Sequence, residues 1–95
     1  MSLVLIRHKV ADYGKWKRTV RSVAAWRKAS GELSFQAFRS AVDPNDVTVL
    51  CRWSNTAKAR KFIESAELRK RMEEAGVISK PDVQFFSKVE DLSVA

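Results

Sequence analysis

Apolar residues alternate with a period of two in four stretches of the chain. Between these stretches they recur every three or four residues, so strands and helices are interleaved. Leu3 to Val10 is the first strand, with Val4, Ile6, His8 and Val10 on one face and Leu3, Leu5, Arg7 and Lys9 on the other. Both faces begin apolar, which predicts cover on both. Asp12 stands where an N-cap belongs. A helix follows from Tyr13 to about Ser30, its buried stripe formed by Trp16, Val20, Val23 and Ala24, with Trp26 offset from the stripe at an edge or interface. Gly31 closes it. Leu33 to Ala41 is the second strand, and Asp43-Pro44-Asn45-Asp46 is a turn that makes a hairpin with the third, Val47 to Trp53.

Asn55 caps a helix from Thr56 to Glu64 that buries Ala59, Phe62 and Ile63. Ser65 caps the next, Ala66 to Ala75, which buries Leu68, Met72 and Ala75. Gly76 ends that helix, Val77 supplies the hydrophobic contact of its C-cap, and Pro81 bars further helix. Asp82 to Val89 is the fourth strand, and Glu90 to Ala95 looks loose. The first two strands are joined through a helix and the hairpin sets the third beside the second, so the sheet order 4-1-3-2 satisfies the chain. This is a ferredoxin-like α+β arrangement, a four-stranded antiparallel sheet with helices on one face, in a single domain spanning 1–95. Leu3, Leu5 and Leu50, or their alternates, are left on the uncovered face, so two such sheets are expected to pack face to face in a homodimer.

Composition narrows the classes. Ninety-five residues bury only about two thirds of their unfolded surface, so a second subunit would help the thin core. No apolar run is long enough for a membrane span. The chain opens without a charged-then-apolar leader, and Cys51 is a lone cysteine inside a strand; both point to the cytoplasm and to a buried structural thiol. The net charge of +7 is spread along the chain and reads as solvated helix surface, or as attraction for anionic partners. Nucleic acid is disfavoured: RNA-recognition modules of this strand order stack bases on aromatic residues of strands one and three, and here only Trp53, at a strand end, qualifies. One histidine and one cysteine make no metal-ligand cluster, and no nucleophile triad or Gly-rich phosphate loop is present.

The element order, the opening Arg7-His8-Lys9-Val10-Ala11-Asp12-Tyr13-Gly14-Lys15-Trp16, the turn Asp43-Pro44-Asn45-Asp46-Val47, and Arg52-Trp53-Ser54 followed by Ala59, Phe62, Ser65, Leu68 and Ala75-Gly76-Val77 resemble the dimeric α+β barrel superfamily. Within it the chain is most similar to the antibiotic biosynthesis monooxygenase-like domains, over nearly its whole length. The resemblance implies a homodimer whose sheets form a barrel, and a pocket in each subunit between sheet and helices. Some members oxidise polyketide quinols with molecular oxygen and no cofactor; others bind and cleave haem. The chain departs from the family after the strand-three tryptophan. Where members often carry a histidine, it has Ala59, Arg60, Lys61 and Phe62. It also lacks the helix histidine and strand-one asparagine of haem-degrading members, which disfavours haem.

His8 is therefore the candidate catalytic residue. In an apolar pocket it would act as a base or hydrogen-bond a phenolic substrate; otherwise it bonds to a neighbouring strand or the dimer partner. Trp16, Trp53, Phe62 and Met72 are the candidate pocket walls for a flat hydrophobic or aromatic ligand, or plain core. Arg39 and Arg52, on adjacent strands, would hold a carboxylate or phosphate if they point into a cavity, and would pair across the dimer if they do not. The functional expectation is a homodimeric small-molecule-binding protein resembling cofactor-independent monooxygenases of aromatic or polyketide-like substrates. The alternative is a non-catalytic ligand-binding, stress or accessory dimer of the same fold.

Overall fold

A computed structural model of the protein describes residues 2–94; Met1 and Ala95 lie outside the described residues. β1 (Ser2–Lys9) is an inner strand, antiparallel to β3 (Asp46–Trp53) on one side and β4 (Asp82–Phe86) on the other. β2 (Glu32–Arg39) pairs antiparallel with β3, giving the sheet order β2-β3-β1-β4 expected from the chain. The alternation of β1 is realised as predicted: Val4, Ile6 and His8 are buried, while Arg7 and Lys9 are exposed.

The single long helix expected after β1 is two, α1 (Tyr13–Ser22) and α2 (Ala24–Ser30). No Gly or Pro marks the break. Val23 leaves helical geometry at φ −108° and ψ 15°, and the Arg27 guanidinium reaches back across it to the carbonyl of Val20. The break turns Ala24 to solvent, a correction to the expected stripe, and leaves Trp26 half-buried against the core. Asp12, Asn55 and Ser65 cap α1, α3 (Thr56–Ile63) and α4 (Ala66–Glu74), each accepting from the backbone N–H three residues on, of Lys15, Lys58 and Leu68. Gly31 (φ 115°) and Gly76 (φ 83°) end α2 and α4 in the left-handed conformation.

β4 stops at Phe86 instead of Val89. Phe86 pairs with Leu3, so β1 offers almost no strand beyond it, and 87–94 is exposed without regular structure. At the other edge, a register shift between Glu32 and Ser34 leaves Leu33 exposed. The helices pack on the face bearing Val4, Ile6, Val49, Cys51 and Trp53, where they supply Trp16, Ala59, Phe62 and Ala75 to one core. The opposite face carries Leu3, Leu5 and Leu50 half-buried, with Phe38 and Phe86 53% and 42% exposed. Leu5 and Leu50 lie directly opposite each other on it.

Candidate ligand site between sheet and helices

A cavity of about 70 Å³ lies between the sheet and the helices. His8, Trp16, Trp53, Phe62 and Met72 all line it, so the expected catalytic candidate and the four expected wall residues are brought together. Strand parity explains His8: two residues from Ile6 and opposite Val47, it must face the helices. Its ring is 5% exposed and meets Trp16 edge-on at 5.9 Å. Neither ring nitrogen has a hydrogen-bond partner among the described residues. Burial lowers the His8 pKa below its ordinary 6.5, with nearby Asp46 opposing. The imidazole is therefore neutral at pH 7, with one nitrogen able to accept a proton and one to donate.

The roof is aromatic. Phe62 of α3 contacts Trp53 at 4.9 Å and Trp26 at 4.6 Å between ring centroids. Trp26 also lines the cavity, and it lines a surface groove as well. The Trp53 indole N–H is buried and, like the His8 nitrogens, has no partner among the described residues. The residues bearing these polar atoms line a space that is otherwise almost wholly apolar.

Two further lining residues, Arg27 and Glu32, were not singled out from the sequence. Arg27 and Glu32 form an ion pair at 3.0 Å, with side chains only 12% and 8% exposed. Arg27 lies over the Phe35 ring at 4.4 Å. Burial raises the Glu32 pKa, and Arg27 opposes it. Cys51 faces the same space; burial first, then the charge and hydrogen bond of Glu32, push its thiol pKa far up, so it stays protonated. A charged pair five residues apart across Gly31 resembles surface decoration in a sequence; its burial follows from the α1–α2 break.

Arg39 and Arg52 are not brought together. Arg39 is in register with Val47 on the helix-side face, stacks over Tyr13 at 4.1 Å and donates to the carbonyl of Pro44. Arg52, in register with Leu3 and Ser34, lies on the opposite face. They cannot share one anion, because side chains one residue apart in parity point to opposite sides of a sheet. No group of three or more His, Cys, Asp or Glu that could hold a metal ion occurs among the described residues, and no helix among them is long and apolar enough to cross a membrane.

No protein-family model matches the sequence, and no curated protein matches it. Solved structures do. A provisionally named antibiotic biosynthesis monooxygenase from Bordetella bronchiseptica superimposes with a TM-score of 0.77 at 16% identity, over 94% of this chain and 97% of that one. SnoaB, a cofactor-independent oxygenase from Streptomyces nogalater, gives 0.76 at 13% identity, over 96% and 95%. A third, another provisionally named antibiotic biosynthesis monooxygenase, from Caulobacter crescentus, gives 0.73 at 19% identity, over 94% and 90%. At these identities the likeness is one of fold. The chain has the fold of the antibiotic biosynthesis monooxygenase-like proteins of the dimeric α+β barrel superfamily, in agreement with the sequence resemblance.

Proposed function

We propose that this protein is a cytoplasmic homodimer, one domain per subunit, that binds a small aromatic ligand in the cavity under Trp16, Trp53, Phe62 and Met72. We propose further that it oxidises that ligand without a cofactor. The observation that supports this reading is His8, a buried neutral imidazole with two unpartnered nitrogens in an apolar space. Such a group accepts a proton from a quinol or anthrone. The resulting enolate is electron-rich and reacts with molecular oxygen directly. One oxygen atom ends in the product carbonyl and the other in water, so the substrate itself supplies the electrons. The apolar walls favour a flat ring system and exclude water from the enolate. That SnoaB, with the same fold, is a cofactor-independent oxygenase supports the reading.

The outer sheet face supports the homodimer in this reading. Leu3, Leu5, Leu50, Phe38 and Phe86 would form a contiguous apolar surface for a second copy, closing two sheets into a barrel. The test is oxygen uptake with a panel of quinols and anthrones, wild type against His8→Ala. A drop of about a hundredfold in turnover is expected; turnover that is absent, or unchanged in the variant, overturns the catalytic role.

One observation favours a second reading. At about 70 Å³ the cavity is well below the roughly 300 Å³ of a typical ligand pocket. A non-catalytic dimer that binds a small ligand would show thermal stabilisation by aromatic compounds with no oxygen uptake.

A further inference from the structure

Ligand binding needs the cavity to widen, since at about 70 Å³ it is too small for an aromatic compound. Three surface depressions share residues with it. The first, near the end of β1, meets it at His8 and is walled by the Arg7–Asp46 ion pair, closed at 2.6 Å. The second, beside Gly31, meets it through Arg27 and Glu32, themselves ion-paired. The third is a groove of about 400 Å³ between α2 and α3 that meets it through Trp26 and Phe62. Here the barrier is one ring contact at 4.6 Å instead of a charge pair.

Arg27, on the same short helix as Trp26, is ion-paired to Glu32 and bonded to the Val20 carbonyl, so what moves is the Trp26 side chain and not the helix. α2 has seven residues, starts at Val23 with no side-chain cap, ends at left-handed Gly31, and buries no residue fully. It packs chiefly on β2, α1 and α3. Separating one tilted ring pair costs less than breaking a buried ion pair.

The groove has a charge. Lys58 and Lys61, three residues apart on α3, line it from one side. The stem of Lys58 is laid against Gly31, whose added Cβ would come within 3.0 Å of it. The carboxylate in the groove, Glu67, is held by Arg71 at 3.0 Å. The hydroxyls of Ser30 and Ser65 are occupied, donating to the carbonyls of Trp26 and Phe62. The local field thus favours an anion at the mouth of an apolar interior.

We propose that the α2–α3 groove is the portal of the ligand site and that its ligands are aromatic acids, whose rings part Trp26 from Phe62 while a carboxylate or sulfonate stays at Lys58 and Lys61. The inference rests on the ligand-binding reading, and the experiment separates the two. Two fluorescent probes of the same skeleton are titrated: 1-anilinonaphthalene-8-sulfonate, an anion, and N-phenyl-1-naphthylamine, its neutral counterpart. The anion is expected to bind about fivefold tighter at low ionic strength, and the advantage to vanish in Lys58→Gln/Lys61→Gln and in high salt. In stopped flow, Trp26→Ala is expected to speed entry of both probes about tenfold. Binding of the neutral probe with no preference for the anion, a preference that survives loss of both lysines, or an unchanged entry rate in Trp26→Ala each overturns the portal while leaving the ligand site standing. Failure of both probes to bind the wild type overturns the ligand site and the portal with it. The lysine double variant, altered only at exposed side chains, keeps the test valid if Trp26→Ala does not fold.

Discussion

Replacing Arg27 by Met strands a carboxylate inside the fold, and the cost should depend on pH in a sense opposite to ordinary acid destabilisation. Met keeps an apolar stem but removes the guanidinium, which lies over Phe35 and donates to Glu32 and to the Val20 carbonyl. Glu32 then has two options at pH 7, to remain charged at 8% exposure or to take a proton. Protonating a carboxyl of ordinary pKa 4.5 at pH 7 costs about 3.4 kcal/mol, which caps the penalty. The lost hydrogen bond to Val20 adds about 1 kcal/mol. The variant should therefore lose about 3–4 kcal/mol at pH 7, near the lower range for a broken buried pair, and a large share of the 5–15 kcal/mol typical of a domain.

The sign of the pH effect follows from linkage. With its partner gone, folded Glu32 has a pKa raised still further above the unfolded value, so its contribution is intact below the unfolded pKa and is lost as pH rises through the folded one. The penalty of Arg27→Met should shrink to about 1 kcal/mol by pH 4.5. Urea unfolding of wild type, Arg27→Met, Glu32→Gln and the double variant at several pH values measures it. At pH 7 the double variant should be less damaged than the sum of the singles by about 2 kcal/mol. A penalty that is the same at pH 7 and pH 5, or that is below about 1 kcal/mol at pH 7, refutes the argument.

Other consequences are simpler to measure. His8→Leu should raise stability by about 1 kcal/mol at pH 7, because it removes two buried nitrogens without partners. The advantage should grow below pH 6.5, since the lowered folded pKa of His8 makes the wild type lose stability as pH falls through that window, by at most about 1.4 kcal/mol per pH unit; a destabilised variant in thermal melts would show that the ring has a structural partner. Cys51 should resist 5,5′-dithiobis(2-nitrobenzoic acid) in the native state and react on unfolding, because burial holds its thiol protonated. Leu50→Arg should convert a dimer to a monomer in size exclusion with light scattering, and an unchanged mass would place the subunit contact elsewhere.

The strands, their order and the face of His8 were legible because period-two alternation converts sequence number directly into side of sheet. The three side-chain N-caps were legible because Asp12, Asn55 and Ser65 satisfy the amides three residues downstream whatever surrounds them. The α1–α2 break was not, since Ser22-Val23-Ala24-Ala25 contains no breaker and its local preferences suit a helix well enough. What compensates is tertiary, the reach of Arg27 to Val20 and Glu32. The parity of Arg39 and Arg52 was hidden because pairing two strands fixes which residues share a side only once the register is known, and it is the pairing of Arg39 with Val47 that sets them apart. The site was half visible, as its apolar walls follow helical spacing while its buried ion pair depends on that break.

β1 has neighbours on both sides, and it carries His8. Inserting one residue between Ser2 and His8 would either break two ladders at once or turn the strand over, sending the imidazole out and bringing a charged neighbour in. Length is therefore frozen along this strand, and lineages descended from such a chain can explore new chemistry there only by exchanging one side chain for another at fixed spacing. Loops at the rim, such as 40–45 and 77–81, stand outside that restriction and are where such proteins are free to grow.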